Sequence, residues 1–196
     1  MSDRITLRSV SFDTSFLLKH NPSVDEVVKK LSHDRIQCFM TTTVVSELEQ
    51  LKIWGRITLK EWKIAFKRMK HTNADIIDFK NRLLSNAFGK TCMKSMEQHH
   101  GVKPDDIRND CNILVSSLKN GIDLFLSEDF HFTSKITREV IEEISHAACS
   151  EYSQLCDTHL YLIDARTFLD AYENGKIDLD LVRSRMKTIR KKGKRL

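Results

Sequence analysis

The stretch Asp110–Phe130, DCNILVSSLKNGIDLFLSEDF, decides how the chain reads. Ile107, Cys111, Leu114, Val115 and Leu118 recur at helical spacing and form one buried stripe. Pro104, followed by Asp105 and Asp106, suits the helix's first turn, where proline forfeits no hydrogen bond and acids complement the dipole. Gly121 is a helix stop. IDLFLS, residues 122–127, is then a short continuous apolar run of the kind buried in a parallel sheet. Asp129 lies just past its end.

Further helix–strand alternation extends in both directions. Ile5 to Asp13 predicts a first strand, with Val10 and Phe12 on one side and Ser9 and Ser11 on the other. A short helical SFLLKH follows. Ser23 and Glu26 form a capping box opening a helix with Val24, Val27, Val28 and Leu31 on one face. Ile36 to Met40 is a buried strand leading through Thr41-Thr42-Thr43 into the helix VVSELEQLKIW, and Thr58 with Glu61 caps another helix through Met69. Asn73 to about His100 reads as mainly helical, with Ile76, Ile77, Phe79, Leu83, Leu84 and Phe88 on its apolar face and a break at Gly89. HLYLID, residues 159–164, is a further strand, and Ala165 to Glu173 and Leu179 onward are helices. Short strands alternating with helices predict an α/β fold with a central, mostly parallel sheet.

The chain has 196 residues, 40% hydrophobic and 30% charged, with only 6 Gly and 2 Pro, which suits one domain and excludes a disordered or fibrous protein. No apolar run approaches the ~20 residues of a membrane span. MSDRITLRSVSFD has no apolar stretch ending in a small-residue cleavage site, so no secretory signal is expected. Five cysteines without a CxxC pair predict reduced thiols and a cytoplasmic location.

Charge is unevenly spread. The chain carries 32 Lys+Arg and 27 Asp+Glu; residues 181–196 hold eight of the bases and no acid, leaving 24 against 27, a net of −3, on the first 180 residues. Those eight are Arg183, Arg185, Lys187, Arg190, Lys191, Lys192, Lys194 and Arg195. Such a tail is drawn to phosphate backbones without reading sequence.

Ligands of an open parallel sheet collect beyond the carboxyl ends of its strands. Asp13 ends the first strand, Glu47 lies early in the helix leaving the second, Asp110 is in the helix that feeds IDLFLS, and Asp129 follows that strand. Asp106 and Ser117 share the face of Asp110. Glu49 is about 200° from Glu47 around its helix, so both cannot face one site. Four carboxylates brought together repel one another, and hard divalent cations are their natural partners. Mg²⁺ or Mn²⁺ so held suits phosphodiester hydrolysis.

Three segments together resemble the PIN-domain nucleases: Asp13-Thr14-Ser15 before FLL, Ser46-Glu47-Leu48 after the second strand, and the set Asp110, Ile113, Gly121, Ser127, Asp129 and Phe130. The resemblance covers roughly residues 5–130 and implies an α/β/α sandwich and a Mg²⁺- or Mn²⁺-dependent, mostly RNA-cleaving endonuclease. Carried over, Asp13, Glu47, Asp110 and Asp129 are its acidic quartet, with Ser15 and Ser127 supporting it by hydrogen bonds. Residues 1–180 are then one PIN-like domain with a helical insertion over 131–158, followed by the tail. Alternatives are a catalytically silent PIN-like module binding nucleic acid or a partner protein, a toxin held by a cognate antitoxin, and a DNA-directed enzyme of the flap type. The resemblance also implies a homodimer.

His146, Cys149, Cys156 and His159 form H-x2-C-x6-C-x2-H, but on a straight helix the histidines lie about 20 Å apart, and no Gly or Pro occurs between to turn the chain. Buried thiols and surface histidines are the expectation. Trp54 and Trp62 bracket a turn and read as packing aromatics rather than base-stacking platforms.

Overall fold

Strand β2 (Ser9–Phe12) is buried at all four positions, serines included. Those serines are satisfied within the protein: Ser9 Oγ accepts the Asp123 N–H at 3.0 Å, and Ser11 Oγ donates to Ser117 Oγ at 3.0 Å. A strand covered on both faces must sit inside a parallel sheet. The computed structural model describes residues 3–78, 82–101, 103, 106–151 and 159–185. In it, β2 pairs in parallel with β3 (Gln37–Thr41) on one side and β5 (Leu124–Leu126) on the other. β4 (Asp75–Ile77) and β6 (Tyr161–Ile163) complete a five-stranded parallel sheet in the order β4-β3-β2-β5-β6. The chain thus leaves β2 toward one edge and later returns on the other side, which puts a topological switch point beside β2.

Helices α1 (Thr14–Leu18), α2 (Pro22–His33), α3 (Thr42–Ile53) and α4 (Leu59–His71) pack on one another, while α5 (Arg82–His100) packs on α6 (Arg108–Lys119) and α8 (Lys135–Glu151). α7 (Phe130–Thr133) joins β5 to α8, and α9 (Ala165–Ala171) returns to α2. The fold is α/β, and its helix groups are compatible with a three-layered sandwich. Residues 131–151 are not a loose addition, since Val140, Ile141 and Ile144 of α8 belong to the core. Arg68, only 5% exposed, ties three helices: its guanidinium donates to Leu17 O at 2.6 Å and to Asp25 Oδ1 at 2.9 and 3.0 Å.

Several local expectations are corrected. Ile5–Asp13 is two strands: β1 (Arg4–Thr6) joins a separate antiparallel sheet, β1-β8-β7. That sheet holds a hairpin unforeseen in the sequence, β7 (Tyr172–Glu173) and β8 (Lys176–Asp178). Asn174 (φ +47°) and Gly175 (φ +78°) form its two-residue turn, and Asn-Gly is the pair that tolerates left-handed backbone at both central positions. The helix over Ala165 to Glu173 therefore stops at Ala171. The cap of α2 is Asn21, with Pro22 in the first turn, rather than Ser23. Asp75–Ile77 is an edge strand against Phe39–Thr41, because left-handed Asn73 ends the preceding helix first. Gly89 does not break α5; a Cβ there would lie 3.3 Å from Asn112 Oδ1, so glycine lets α5 close on α6. Phe79, Pro104, Asp105 and Cys156 lie outside the described residues.

The helix preceding β5 ends as the spacing predicts. Gly121 (φ +66°) donates to Leu118 O at 3.0 Å and Ile122 N–H to Ser117 O at 3.2 Å, a Schellman closure. Asp123 then fixes β5 against β2, because its Oδ2 accepts the N–H groups of Arg8 (2.9 Å) and Ser9 (3.1 Å). Its other oxygen takes the Arg8 guanidinium, whose side chain is 78% exposed and so adds little. Asp123→Ala leaves two backbone donors without a partner and should cost about 1–3 kcal/mol, read as a thermal shift of about 2–4 °C per kcal/mol for a chain of this size. Arg8→Ala should change the melting temperature little, so equal losses from the two variants would show that the ion pair, not the backbone bonds, holds the strands.

Candidate active site

Pairing of Phe12 with Leu126 fixes what happens one residue later. The Asp13 N–H donates to Leu126 O at 3.0 Å, so Asp13 lies beside Ser127 at the carboxyl edge of the two central strands. Asp13 is the N-cap of α1 and is 4% exposed. Its Oδ2 accepts from Ser15 Oγ at 2.5 Å, Ser127 Oγ at 3.0 Å and the Ser15 N–H at 3.2 Å. The two hydroxyl oxygens are 3.1 Å apart and accept in turn the N–H groups of Glu128 and Asp129, each at 3.0 Å. All three bonds to Asp13 fall on one oxygen; Oδ1 has no partner among the described residues.

The other acids arrive by separate routes. Ser11 and Asp13 are two residues apart and share a face of β2. Ser11 bonds Ser117, and Asp110 lies seven residues before Ser117, two turns along the same face of α6. That double period brings Asp110 over Asp13. Glu47 lies in the second turn of α3 and accepts from Thr14 Oγ1 at 2.5 Å. Asp129 caps α7, its Oδ1 accepting the His131 N–H at 2.8 Å. Glu49 faces Lys52 at 4.0 Å instead, and Asp106 is exposed in a turn before α6. Asp13, Glu47 and Asp129 thus come near enough for their charges to act on Asp110, and Ser15 and Ser127 hold Asp13 directly.

Burial raises the Asp110 carboxyl from its ordinary value of 3.8 to about 8, and the charges of Asp13, Asp129 and Glu47 push the same way. No cation opposes them, and Asp110 makes no side-chain hydrogen bond among the described residues. Burial also raises Asp13, to about 6; the bonds from Ser15 and Ser127 pull it back, and the Glu47 charge adds to the rise. Among the described residues no group of three or more His, Cys, Asp or Glu side chains is drawn tightly enough to hold an ion as it stands. Asp13, Glu47 and Asp129 spend oxygens on protein donors instead. The donor set nonetheless fits a hard divalent cation: all ligand atoms are carboxylate oxygens, and Asp110 and Asp13 Oδ1 have free valence toward it.

Phe130, next to Asp129 in the chain, is 61% exposed, and Trp54, at the end of α3, is 62% exposed. Packing describes Trp62, tilted on Phe66 with centroids 4.3 Å apart, but not the exposed Trp54, whose ring has the Arg56 guanidinium at 5.5 Å. Burial cannot be read from one turn of sequence, because it depends on which neighbour reaches over. Two tail residues are engaged within the domain: Arg183 with Asp3 (2.7 Å) and Asp180 (3.5 Å), and Arg185 with Asp170. Residues 179–185 are helical and Val182 is buried, so the domain runs past residue 180 to at least residue 185. Lys187, Arg190, Lys191, Lys192, Lys194 and Arg195 lie outside the described residues. His146 and His159 are exposed, as surface histidines should be.

A raised carboxyl has a definite sign. Asp110 favours the folded state fully below about pH 4, and that contribution is lost as pH rises through about 8, because the unfolded chain ionises first. In EDTA, Asp110→Asn should therefore melt higher than wild type at pH 8, by about 2–8 °C, with the gain vanishing toward pH 4. Melts at pH 4, 6 and 8 check this; a constant or negative difference would mean that the acids do not repel one another.

No family model, curated protein or solved structure matches the chain. What can be said of its chemistry rests on the residues themselves.

Proposed function

We propose that the chain is a PIN-like, Mg²⁺- or Mn²⁺-dependent endoribonuclease acting in the cytoplasm. The observation that carries this reading is that acids from four segments act on one another beside the switch point of a parallel sheet, with no cation among the described residues acting on Asp110. Such an arrangement is costly for a folded chain by itself and becomes useful when a divalent ion neutralises it. The buried free thiols Cys38, Cys92 and Cys111 are in keeping with a reducing compartment. No helix among the described residues is long and apolar enough to cross a membrane.

Asp13, Glu47, Asp110 and Asp129 would hold one or two ions. When bound, such ions polarise the phosphate, lower the pKa of water and stabilise the leaving oxygen. The chain's own residues supply order. Ser15 and Ser127 clamp one oxygen of Asp13 so that the other faces the site, and Thr14 fixes the rotamer of Glu47. Asp110 must give up its proton before it can serve as a ligand, which makes affinity for the ion rise with pH through the neutral range. The tail bases Lys187, Arg190, Lys191, Lys192, Lys194 and Arg195 would add sequence-independent affinity for the RNA backbone.

Cleavage of a mixed panel of labelled RNAs with Mn²⁺, Mg²⁺ or EDTA tests the proposal. Wild type should cut only with metal, Asp13→Asn should lose about 100-fold or more, and Ser127→Ala, which removes support rather than a ligand, about 10–100-fold. Matched DNA substrates should be cut more slowly. Metal-independent cutting, or cutting retained by Asp13→Asn, would overturn the assignment; binding of RNA that no metal converts into cleavage would favour the silent module.

A further inference from the structure

The α3–α4 hairpin concentrates positive charge on a body that is otherwise acidic. Residues 52–70 hold seven Lys+Arg and one acid, Glu61. Arg68 is committed to Asp25, but Lys60, Lys63, Lys67 and Lys70 have no ion-pair partner among the described residues. At the tip of this basic segment stands Trp54, 62% exposed, with the Arg56 guanidinium 5.5 Å from its ring and Lys52 Nζ 4.0 Å from the neighbouring Trp62 ring.

Trp54 is also in line with the acids. It follows Glu47 by seven residues, and its N–H still donates to Gln50 O at 2.9 Å, so the helix continues to it. Seven residues are two helical turns, short by about 20°, and about 10 Å along the axis. Glu47 and Trp54 therefore share one face of α3. That distance spans about three nucleotides of a stacked strand at ~3.4 Å each. An exposed indole flanked by cations is the chemistry that holds an unpaired base: the ring stacks on any base and the cations follow the backbone. A duplex has no free base to offer, and an apolar protein partner would not call for this much unpaired positive charge.

We infer that Trp54, with Arg56 beside it, is a base-stacking platform that selects single-stranded RNA and positions it a few nucleotides from the Glu47 side of the acidic site. Stacking on Trp54 gives the strand a register that the unspecific tail cannot. The inference rests on the nuclease reading for what happens at the acids, but its binding step needs no metal.

The test uses the full chain carrying Trp62→Phe, so that Trp54 is the sole tryptophan, since the chain has 2 Trp. Trp62 Nε1 is buried without a hydrogen-bond partner, so that replacement strands no group. In EDTA, a 12-nucleotide single-stranded RNA should quench the Trp54 fluorescence, and a duplex of the same length should not. In the native background Trp54→Ala should weaken single-strand binding about 5- to 30-fold, Trp54→Phe should restore most of it, and Arg56→Ala should weaken it less. With Mn²⁺, Trp54→Ala should raise KM on that RNA and leave kcat near wild type. No quenching, or unchanged affinity in Trp54→Ala, overturns the platform. So does a Trp54→Ala protein that binds RNA normally but changes sedimentation from dimer to monomer, which would make the patch an interface between copies. Quenching by RNA in a protein that never cleaves keeps the platform and overturns the nuclease reading; cleavage indifferent to Trp54 does the reverse.

Discussion

The alignment of β2 on β5 is the constraint on which the rest depends. Side chains alternate along a strand, so a slip of one residue would turn Asp13 away from Ser127 and expose a serine or phenylalanine in its place. The register is held at both ends by groups that cannot be satisfied otherwise. At the start, Asp123 accepts two backbone N–H groups of the chain entering β2; at the finish, Asp13 donates its own N–H to Leu126. Ser11 and Ser117 set the height of α6 against the same strand, and that height is what places Asp110.

What this frame holds is a concentration of negative charge that does nothing for stability. Asp13 and Asp110 both sit above the usual carboxylate range because they are buried and because the other acids face them. A neutral or basic residue at one of those positions would relieve the repulsion, and that unrelieved charge is what the proposed function draws on. The serines around Asp13 serve that end. They draw its ionisation back down through one oxygen and leave the other without a partner among the described residues.

Much of this was legible in the sequence, for identifiable reasons. Helix α6 and strand β5 combine a strong apolar period with a glycine stop, and the stop and the strand are found within the expected residues, although α6 begins at Arg108 and leaves Asp106 in a turn before it. Asp13 and Asp129 follow from where strands end and helices are capped, which is fixed locally, whereas Glu47 and Asp110 follow from helical period. Less legible were features decided by distant partners. β4 is three residues long and gains its identity only from pairing with β3. The Asn174-Gly175 turn was a readable signal hidden by an expected helix on either side. Gly89 spoke of a helix break but serves the approach of α6. Trp54 and Trp62 look alike in sequence, eight residues apart, yet Phe66 packs on the ring of one and the other is left 62% exposed.

The central claim is that the acidic quartet is a cation site whose ionisation the fold has deferred. Calorimetric titration of Mn²⁺ into the protein at pH 7, in two buffers of different ionisation enthalpy, measures both binding and the protons it displaces. Saturable binding should release about one proton per site, chiefly from Asp110, and Asp110→Asn should bind more weakly and release fewer. Mn²⁺ binding without proton release, or binding of equal strength by Asp110→Asn and Asp13→Asn, would contradict it.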